Sequence, residues 1–121
     1  MARILIIDDE PQMLDMLGQI LKREGHEVVE ALDGKEGLKL YRENPADLVI
    51  TDIVMPVKEG IETIMELQRD YPDVKIIAMS GGGHNYPEEY LYIARMLGVQ
   101  KTFAKPIERD ELLKAVSELL D

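Results

Sequence analysis

The chain has 121 residues, of which 45% are hydrophobic, and its formal net charge is −10. This length and apolar content predict one domain, residues 1–121, with a substantial core. Phosphate backbones and anionic lipids repel such an acidic domain, which disfavours direct binding of nucleic acid or membrane. The absence of cysteine excludes disulfides, thiolate zinc sites and thiol nucleophiles, and it is typical of a cytoplasmic protein.

Five short apolar segments predict β-strands, and several are unbroken rather than alternating, as expected of strands covered on both faces. In chain order they are Arg3–Ile7, Glu27–Ala31, Leu48–Thr51, Lys75–Met79 and Gln100–Ala104. Segments of helical period follow each strand in turn: Pro11–Arg23, Lys35–Glu43, Glu59–Asp70, Glu88–Leu97 and Glu108–Leu120. The alternation predicts an α/β fold, a single-domain doubly wound (βα)5 arrangement with a five-stranded parallel sheet.

Polar residues occupy matching positions, directly after four of the predicted strands. Asp8 and Asp9 follow the first strand, and Asp52 follows the third. Ser80 follows the fourth strand, and Lys105 follows the fifth. Parallel strands point their carboxyl ends to one edge of a sheet, where open α/β folds bind ligands. We therefore expect these side chains to converge in one crevice.

Three carboxylates in one crevice repel each other, so the predicted site needs positive charge. Two unit charges about 4 Å apart interact with roughly 4 kcal/mol at an effective dielectric near 20. Lys105 supplies only one positive charge. An oxygen-only ligand set without His or Cys favours Mg²⁺, or Mn²⁺ in its place. A metal, a cation and a hydroxyl around an Asp are the groups that phosphoryl transfer to a carboxylate requires.

Each of these residues also has a simpler structural explanation. Asp9 is a good N-cap for the helix that follows it. Asp52 alone fits a turn, Ser80 opens a glycine-rich loop, and a lone Lys105 is ordinarily a solvated charge. Capping does not explain Asp8, however, and the chance that all five share one sheet edge by coincidence is small. Their joint placement favours a functional site.

Four short motifs make the sequence similar to a known family. They are IDDE at residues 7–10, DIVMPVKEG at 52–60, MSGG at 79–82 and FAKP at 103–106. Over its whole length the chain resembles the receiver domain of two-component response regulators, the CheY-like family. The resemblance implies a flavodoxin-like sheet of strand order 2-1-3-4-5, and a receiver domain with no output domain in this chain.

The resemblance also implies how a phosphoryl group is received. Asp52 is the phosphoacceptor, and the donor is a phosphohistidine of a histidine kinase or of a histidine phosphotransfer protein. Lys105 pairs with one phosphoryl oxygen, and Ser80 donates its hydroxyl to another. The bond between Lys105 and Pro106 is expected to be cis.

A metal site is implied on the same grounds. Asp9, Asp52 and the backbone carbonyl of Val54 are the expected ligands of Mg²⁺. Asp8 is expected to act through a metal-bound water.

Ser80 and Phe103 are implied to form the conformational switch, in which the hydroxyl moves toward the phosphoryl group and the ring rotates inward. A phosphoryl group adds roughly −1.5 to −2 charge, and its oxygens shift the population toward the state that binds them better. The implied readout surface comprises 88–97, 100–104 and 108–120, and its downstream protein target is unknown. The chain is expected to catalyse its own phosphorylation and slow dephosphorylation without being a conventional enzyme.

Three rival hypotheses share parts of this pattern. A haloacid-dehalogenase-like phosphatase needs D-x-D after the first strand, where this chain has Asp8-Asp9-Glu10, and usually a cap domain, for which the chain is too short. A flavodoxin-like mononucleotide binder shares the fold, but DDEPQ at residues 8–12 would repel its phosphate. A binding-only pseudo-receiver is disfavoured by the complete set of acids together with Ser80 and Lys105.

Overall fold

The computed structural model describes residues 2–53, 60–80 and 87–121. Strands and helices alternate along the chain, as the sequence predicts. In order they are β1 (Arg3–Ile7), α1 (Pro11–Arg23), β2 (Glu27–Ala31), α2 (Gly34–Glu43), β3 (Leu48–Asp52), α3 (Gly60–Asp70), β4 (Ile76–Ser80), α4 (Pro87–Met96), β5 (Lys101–Ala104) and α5 (Arg109–Leu120). None of the helices within these ranges is long and apolar enough to cross a membrane.

All five strands lie parallel in one sheet of order β2-β1-β3-β4-β5, which confirms the predicted fold. The third and fourth strands end one residue later than predicted, because pairing with a neighbour continues into the polar residue. Asp52 pairs with Met79, and Ser80 pairs with Ala104. The two polar residues are therefore the last residues of β3 and β4 and are fixed by the sheet.

Helices cover both faces of the sheet, which explains why the central strands have no polar face. On one face, the α1 and α5 side chains pack against β1, β3 and β4; the fully buried ones include Leu17, Leu21 and Leu112. On the other face α2, α3 and α4 contribute Leu38, Ile64, Leu67 and Ala94, among others. Burial of a Leu or Ile side chain contributes about 1.5–3 kcal/mol, so these two clusters supply the main stabilisation.

The start of α1 corrects one expectation from the sequence. Glu10, rather than Asp9, is the N-cap residue, with φ −99° and ψ 110°. Its carbonyl accepts the N–H groups of Met13 and Leu14. Pro11 takes the first helical position, where its missing N–H costs nothing, so the cap is the residue before it. Capping therefore does not account for Asp9.

Gly60 allows α3 to begin directly against the end of β3. Its N–H donates to the carbonyl of Ile53 at 2.7 Å. A Cβ at this position would lie 2.0 Å from the carbonyl oxygen of Asp52 and 2.4 Å from Cα of Ile53. Both atoms belong to the backbone and cannot rotate away. The glycine that ends the DIVMPVKEG motif thus fixes the backbone of Asp52.

We expect Gly60→Ala to lower the free energy of unfolding by about 3 kcal/mol, because the added methyl group forces the backbone apart. Urea denaturation followed by circular dichroism measures this loss. The control is Gly18→Ala in α1, where the closest atom to the new Cβ is the movable carboxylate of exposed Glu30. That variant should be neutral or slightly stabilised. Equal stability of the two variants would contradict the close approach.

Candidate functional site

The ends of β1, β3 and β5 bring three of the predicted residues into direct contact. The Lys105 Nζ atom lies 2.8 Å from Asp8 Oδ2 and 3.2 Å from Asp52 Oδ2. These residues come from distant parts of the chain and meet because their strands end at one edge of the sheet. The predicted convergence of these three residues is confirmed. The bond between Lys105 and Pro106 is cis, also as predicted.

Lys105 is a buried cation among three carboxylates. Only 4% of its side chain is exposed, and its third partner is Glu10, whose Oε1 atom accepts a hydrogen bond from Nζ at 3.1 Å. Burial lowers the pKa of Lys105, but hydrogen bonding to Asp8 and the charges of Asp52 and Asp8 outweigh it, and the net shift is upward. The ammonium is therefore charged throughout the physiological pH range.

Asp8 is fully buried, and this burial raises the pKa of its carboxyl group. The contact with Lys105 and the backbone N–H of Glu10, which donates to Oδ1 at 2.9 Å, oppose the rise without cancelling it. The negative charge on Asp8 is thus incompletely compensated by the protein. A second cation near this carboxylate would stabilise the ionised form.

The acidic residues of the edge form a group suited to a metal ion. Carboxylate oxygens of Asp8, Asp9, Glu10 and Asp52 all lie within 4.8 Å of one another. Among the described residues, three of these four carboxylates, those of Asp8, Glu10 and Asp52, contact the ammonium of Lys105. Oxygen-only donors, with one exposed side of the cluster at Asp9 and Glu10, fit Mg²⁺ or Mn²⁺, which keep waters in their shell. The donor set therefore fits the predicted metal.

Ser80 places a hydroxyl at the same edge. The residue is fully buried, and its Oγ atom has no hydrogen-bond partner among the described residues. Its carbonyl accepts the N–H of Lys105 at 2.7 Å, so the two residues lie side by side across the sheet. A buried hydroxyl without a partner costs about 1–3 kcal/mol. An oxygen-rich ligand at this edge would remove that cost.

The backbone around Asp52 is held from several directions. The N–H of Ile53 donates to the carbonyl of Met79 at 2.9 Å, and Thr51 Oγ1 donates to the carbonyl of Asp52 at 2.9 Å. Together with the close approach of Gly60, these contacts fix the carboxylate of Asp52 relative to Lys105. A carboxylate held this firmly loses little conformational entropy when it engages a ligand.

The resemblance implies that Phe103 acts together with Ser80, but the side chains of these two residues lie on opposite faces of the sheet. The register pairs Phe103 with Met79, and its ring packs into the cluster formed by α1 and α5. Because side chains alternate along a strand, Thr102 is the β5 residue on the other face, paired with Ala78. The guanidinium of Arg95 in α4 donates to Thr102 Oγ1 at 3.4 Å. This arrangement favours Thr102 over Phe103 as the residue that links the Ser80 face of the sheet to α4.

Glu10 is the site residue that the sequence did not reveal. We predicted it only as part of the IDDE motif, yet its carboxylate contacts Lys105. The sequence held one indication: Pro11 favours the first helical position, which makes Glu10 the N-cap, and Glu is a poor N-cap. In the structure the Glu10 side chain makes no capping bond. Other predicted features, namely the carbonyl of Val54 and the glycines at 81–83, lie outside the described residues.

A family model for the response regulator receiver domain matches residues 4–117. Among curated proteins, the chain is 34% identical over 120 residues to the chemotaxis protein CheY of Bacillus subtilis, covering 98% of both chains. It is 32% identical over 120 residues to PilH of Pseudomonas aeruginosa, covering 99% of this chain and 98% of PilH. The transcriptional regulatory protein GlrR of Escherichia coli is 33% identical, but the chain spans only 26% of its length.

Solved structures support membership of the same family. A response regulator receiver domain protein from Clostridium thermocellum superposes with a TM-score of 0.90 at 30% identity, over 99% of this chain and 94% of the other. The response regulator TrrA from Thermotoga maritima, solved in complex with Mg(2+)-BeF, gives a TM-score of 0.84 at 34% identity over 99% and 100%. With this fold and this acidic edge, the chain belongs to the receiver domain family of two-component response regulators.

Proposed function

We propose that the chain is a phosphorylation-dependent switch whose phosphoacceptor is Asp52. The observation that carries this proposal is the placement, at one sheet edge, of a fixed Asp52 carboxylate, a buried Lys105 ammonium and a Ser80 hydroxyl that has no hydrogen-bond partner within the described ranges. The family to which the chain belongs supports phosphorylation-dependent signalling in general. The phosphodonor that fits this family is a phosphohistidine of a histidine kinase or a histidine phosphotransfer protein.

In the proposed transfer, a carboxylate oxygen of Asp52 attacks phosphorus as the phosphorus–nitrogen bond of the donor breaks. A phosphorus–oxygen bond forms, and the histidine nitrogen of the donor leaves and recovers a proton. Lys105 offsets the charge of the phosphoryl oxygens, and the Ser80 hydroxyl donates to one of them. Both groups are buried, where electrostatic interactions are strong. Slow hydrolysis of the aspartyl phosphate would reset the switch, so the chain is not a conventional enzyme.

Mg²⁺ is the cofactor that the acidic group fits, with Mn²⁺ as a substitute. Asp9 and Asp52 are the proposed side-chain ligands, with the carbonyl of Val54, and Asp8 would act through a bound water. When bound, the metal supplies positive charge that stabilises the phosphoryl oxygens. The complex of TrrA with Mg(2+)-BeF supports this assignment by analogy.

The proposed output passes through the Ser80 side of the sheet to α4. A move of the Ser80 hydroxyl toward the phosphoryl group would leave space beside β5, into which a neighbouring side chain could turn. The family resemblance assigned this movement to Phe103, whereas Thr102 is the β5 residue on the same face of the sheet as Ser80. The surface of α4, β5 and α5 is the proposed readout for a downstream protein in the cytoplasm. Tyr92, Ile93 and Met96 of α4 expose apolar area there.

Acetyl phosphate with Mg²⁺ should add one phosphoryl group to the protein, and Asp52→Asn should abolish this addition. An amide is a poor nucleophile, so the variant cannot form the acyl phosphate. Intact-protein mass spectrometry measures the modification. Asp15→Asn is the matched control, since it removes a charge from an exposed position on α1. Labelling of Asp52→Asn at the wild-type level would refute the assignment.

The same purified protein distinguishes a phosphorylation-dependent switch from a phosphatase and from a flavodoxin-like binder. A switch that forms one aspartyl phosphate should release little phosphate from a phosphomonoester such as p-nitrophenyl phosphate. Steady multiple turnover of that ester would favour the phosphatase, and a yellow protein on purification would favour the flavodoxin-like binder.

Asp9→Ala should weaken Mg²⁺ binding by at least about tenfold, because it removes a direct ligand. The chain has no tryptophan, so calorimetry or titration of backbone amides by NMR measures the affinity. Asp15→Ala is the control for a general loss of negative charge. Unchanged Mg²⁺ affinity in Asp9→Ala would reject Asp9 as a ligand.

A further inference from the structure

Glu10 bridges two distant parts of the chain with a side chain that is not used for capping. It is the N-cap residue of α1, but its carboxylate makes no hydrogen bond to the helix. That carboxylate instead accepts a hydrogen bond from Lys105 Nζ at 3.1 Å, across 95 residues of sequence. Its backbone N–H donates to Asp8 Oδ1 at 2.9 Å. The side chain and the backbone N–H of Glu10 therefore both contact residues of the charged site.

Asp8, Asp52 and Glu10 differ in how easily each can break its contact with Lys105. The side chains of Asp8 and Asp52 are 0% and 3% exposed, whereas that of Glu10 is 48% exposed. A carboxylate that leaves Lys105 for water regains its hydration only if water can reach it. Glu10 is thus the one partner of Lys105, among these three, that can be exchanged at low cost.

We propose that Glu10 is an electrostatic gate on phosphorylation: it holds Lys105 in the unphosphorylated protein and must release it to the incoming phosphoryl oxygens. The inference rests on the proposed function of Asp52. Its physical basis is competition for a single ammonium, since a carboxylate and a phosphoryl oxygen accept the same hydrogen bonds from Lys105. A phosphodonor must displace Glu10 before Lys105 can offset its charge.

The position of Glu10 adds charge repulsion to this competition. Its carboxylate lies within 4.8 Å of the carboxylate of Asp52, on the exposed side of the acidic group. Like charges at such distances interact strongly when one of them is buried. A phosphodonor that reaches Asp52 also comes close to the charge of Glu10. The gate therefore opposes donors in proportion to their negative charge. Small dianionic acyl phosphates should be excluded more than monoanionic donors of similar size.

The test compares Glu10→Gln with the wild type at saturating Mg²⁺, using acetyl phosphate, a dianion, and phosphoramidate, a monoanion. The amide keeps the size of the side chain and removes its charge. We expect labelling by acetyl phosphate to be roughly tenfold faster in the variant, and labelling by phosphoramidate to be only about two- to threefold faster. Time courses of intact mass give both rates. Asp15→Asn, with the same change in net charge, should match the wild type.

The ratio of the two donor rates is the deciding readout, because a change in the structure of α1 would affect both donors alike. Glu10→Asp keeps the charge and should keep a donor ratio close to that of the wild type. Equal acceleration with both donors, or no acceleration with either, would overturn the gate while leaving Asp52 as the phosphoacceptor. A tenfold or greater loss of Mg²⁺ affinity in Glu10→Gln would make Glu10 a metal ligand and also overturn it. Absence of labelling in every protein would overturn both the gate and the proposed function.

Discussion

The contact of one buried ammonium with three carboxylates organises the functional edge of this molecule. Lys105 joins the end of β1, through Asp8, to the end of β3, through Asp52, and to the start of α1, through Glu10. Buried ion pairs add little net stability, but removal of one partner leaves an uncompensated charge and costs several kcal/mol. The arrangement is therefore explained better by what the site does than by what it contributes to folding.

The charges and the hydroxyl at this sheet edge are incompletely compensated by the described residues. Carboxylates outnumber the ammonium, burial raises the pKa of Asp8, and the Ser80 hydroxyl lacks a partner among the described residues. Each of these costs stability, and each would be relieved by the proposed metal ion or phosphoryl group. Such local conflict between stability and activity is common at functional sites, and the two apolar clusters on either side of the sheet compensate for it.

The sequence predicted the sheet and most of the site because both follow from patterns along the chain. Unbroken apolar strands gave the parallel fold, and the residues at strand ends gave Asp8, Asp52, Ser80 and Lys105. What escaped prediction depends on three-dimensional detail. A shift of one residue along β5 reverses the face of a side chain, which separates Phe103 from the Ser80 face. The contact of Glu10 with Lys105 arises only after the chain has folded, and no local pattern encodes it.

The most direct test of this account is the stability of Lys105→Met in urea, with and without millimolar Mg²⁺. Without metal we expect a loss of about 3 kcal/mol or more, because Asp8, Glu10 and Asp52 lose the buried ammonium that contacts them. Mg²⁺ should restore more than half of that loss, since it offsets the same charges. Lys101→Met, which removes a partly exposed lysine whose Nζ atom lies 3.7 Å from Glu118 Oε1, should change little in either condition. A Lys105→Met protein as stable as the wild type without metal, or one that Mg²⁺ does not stabilise, would contradict the account.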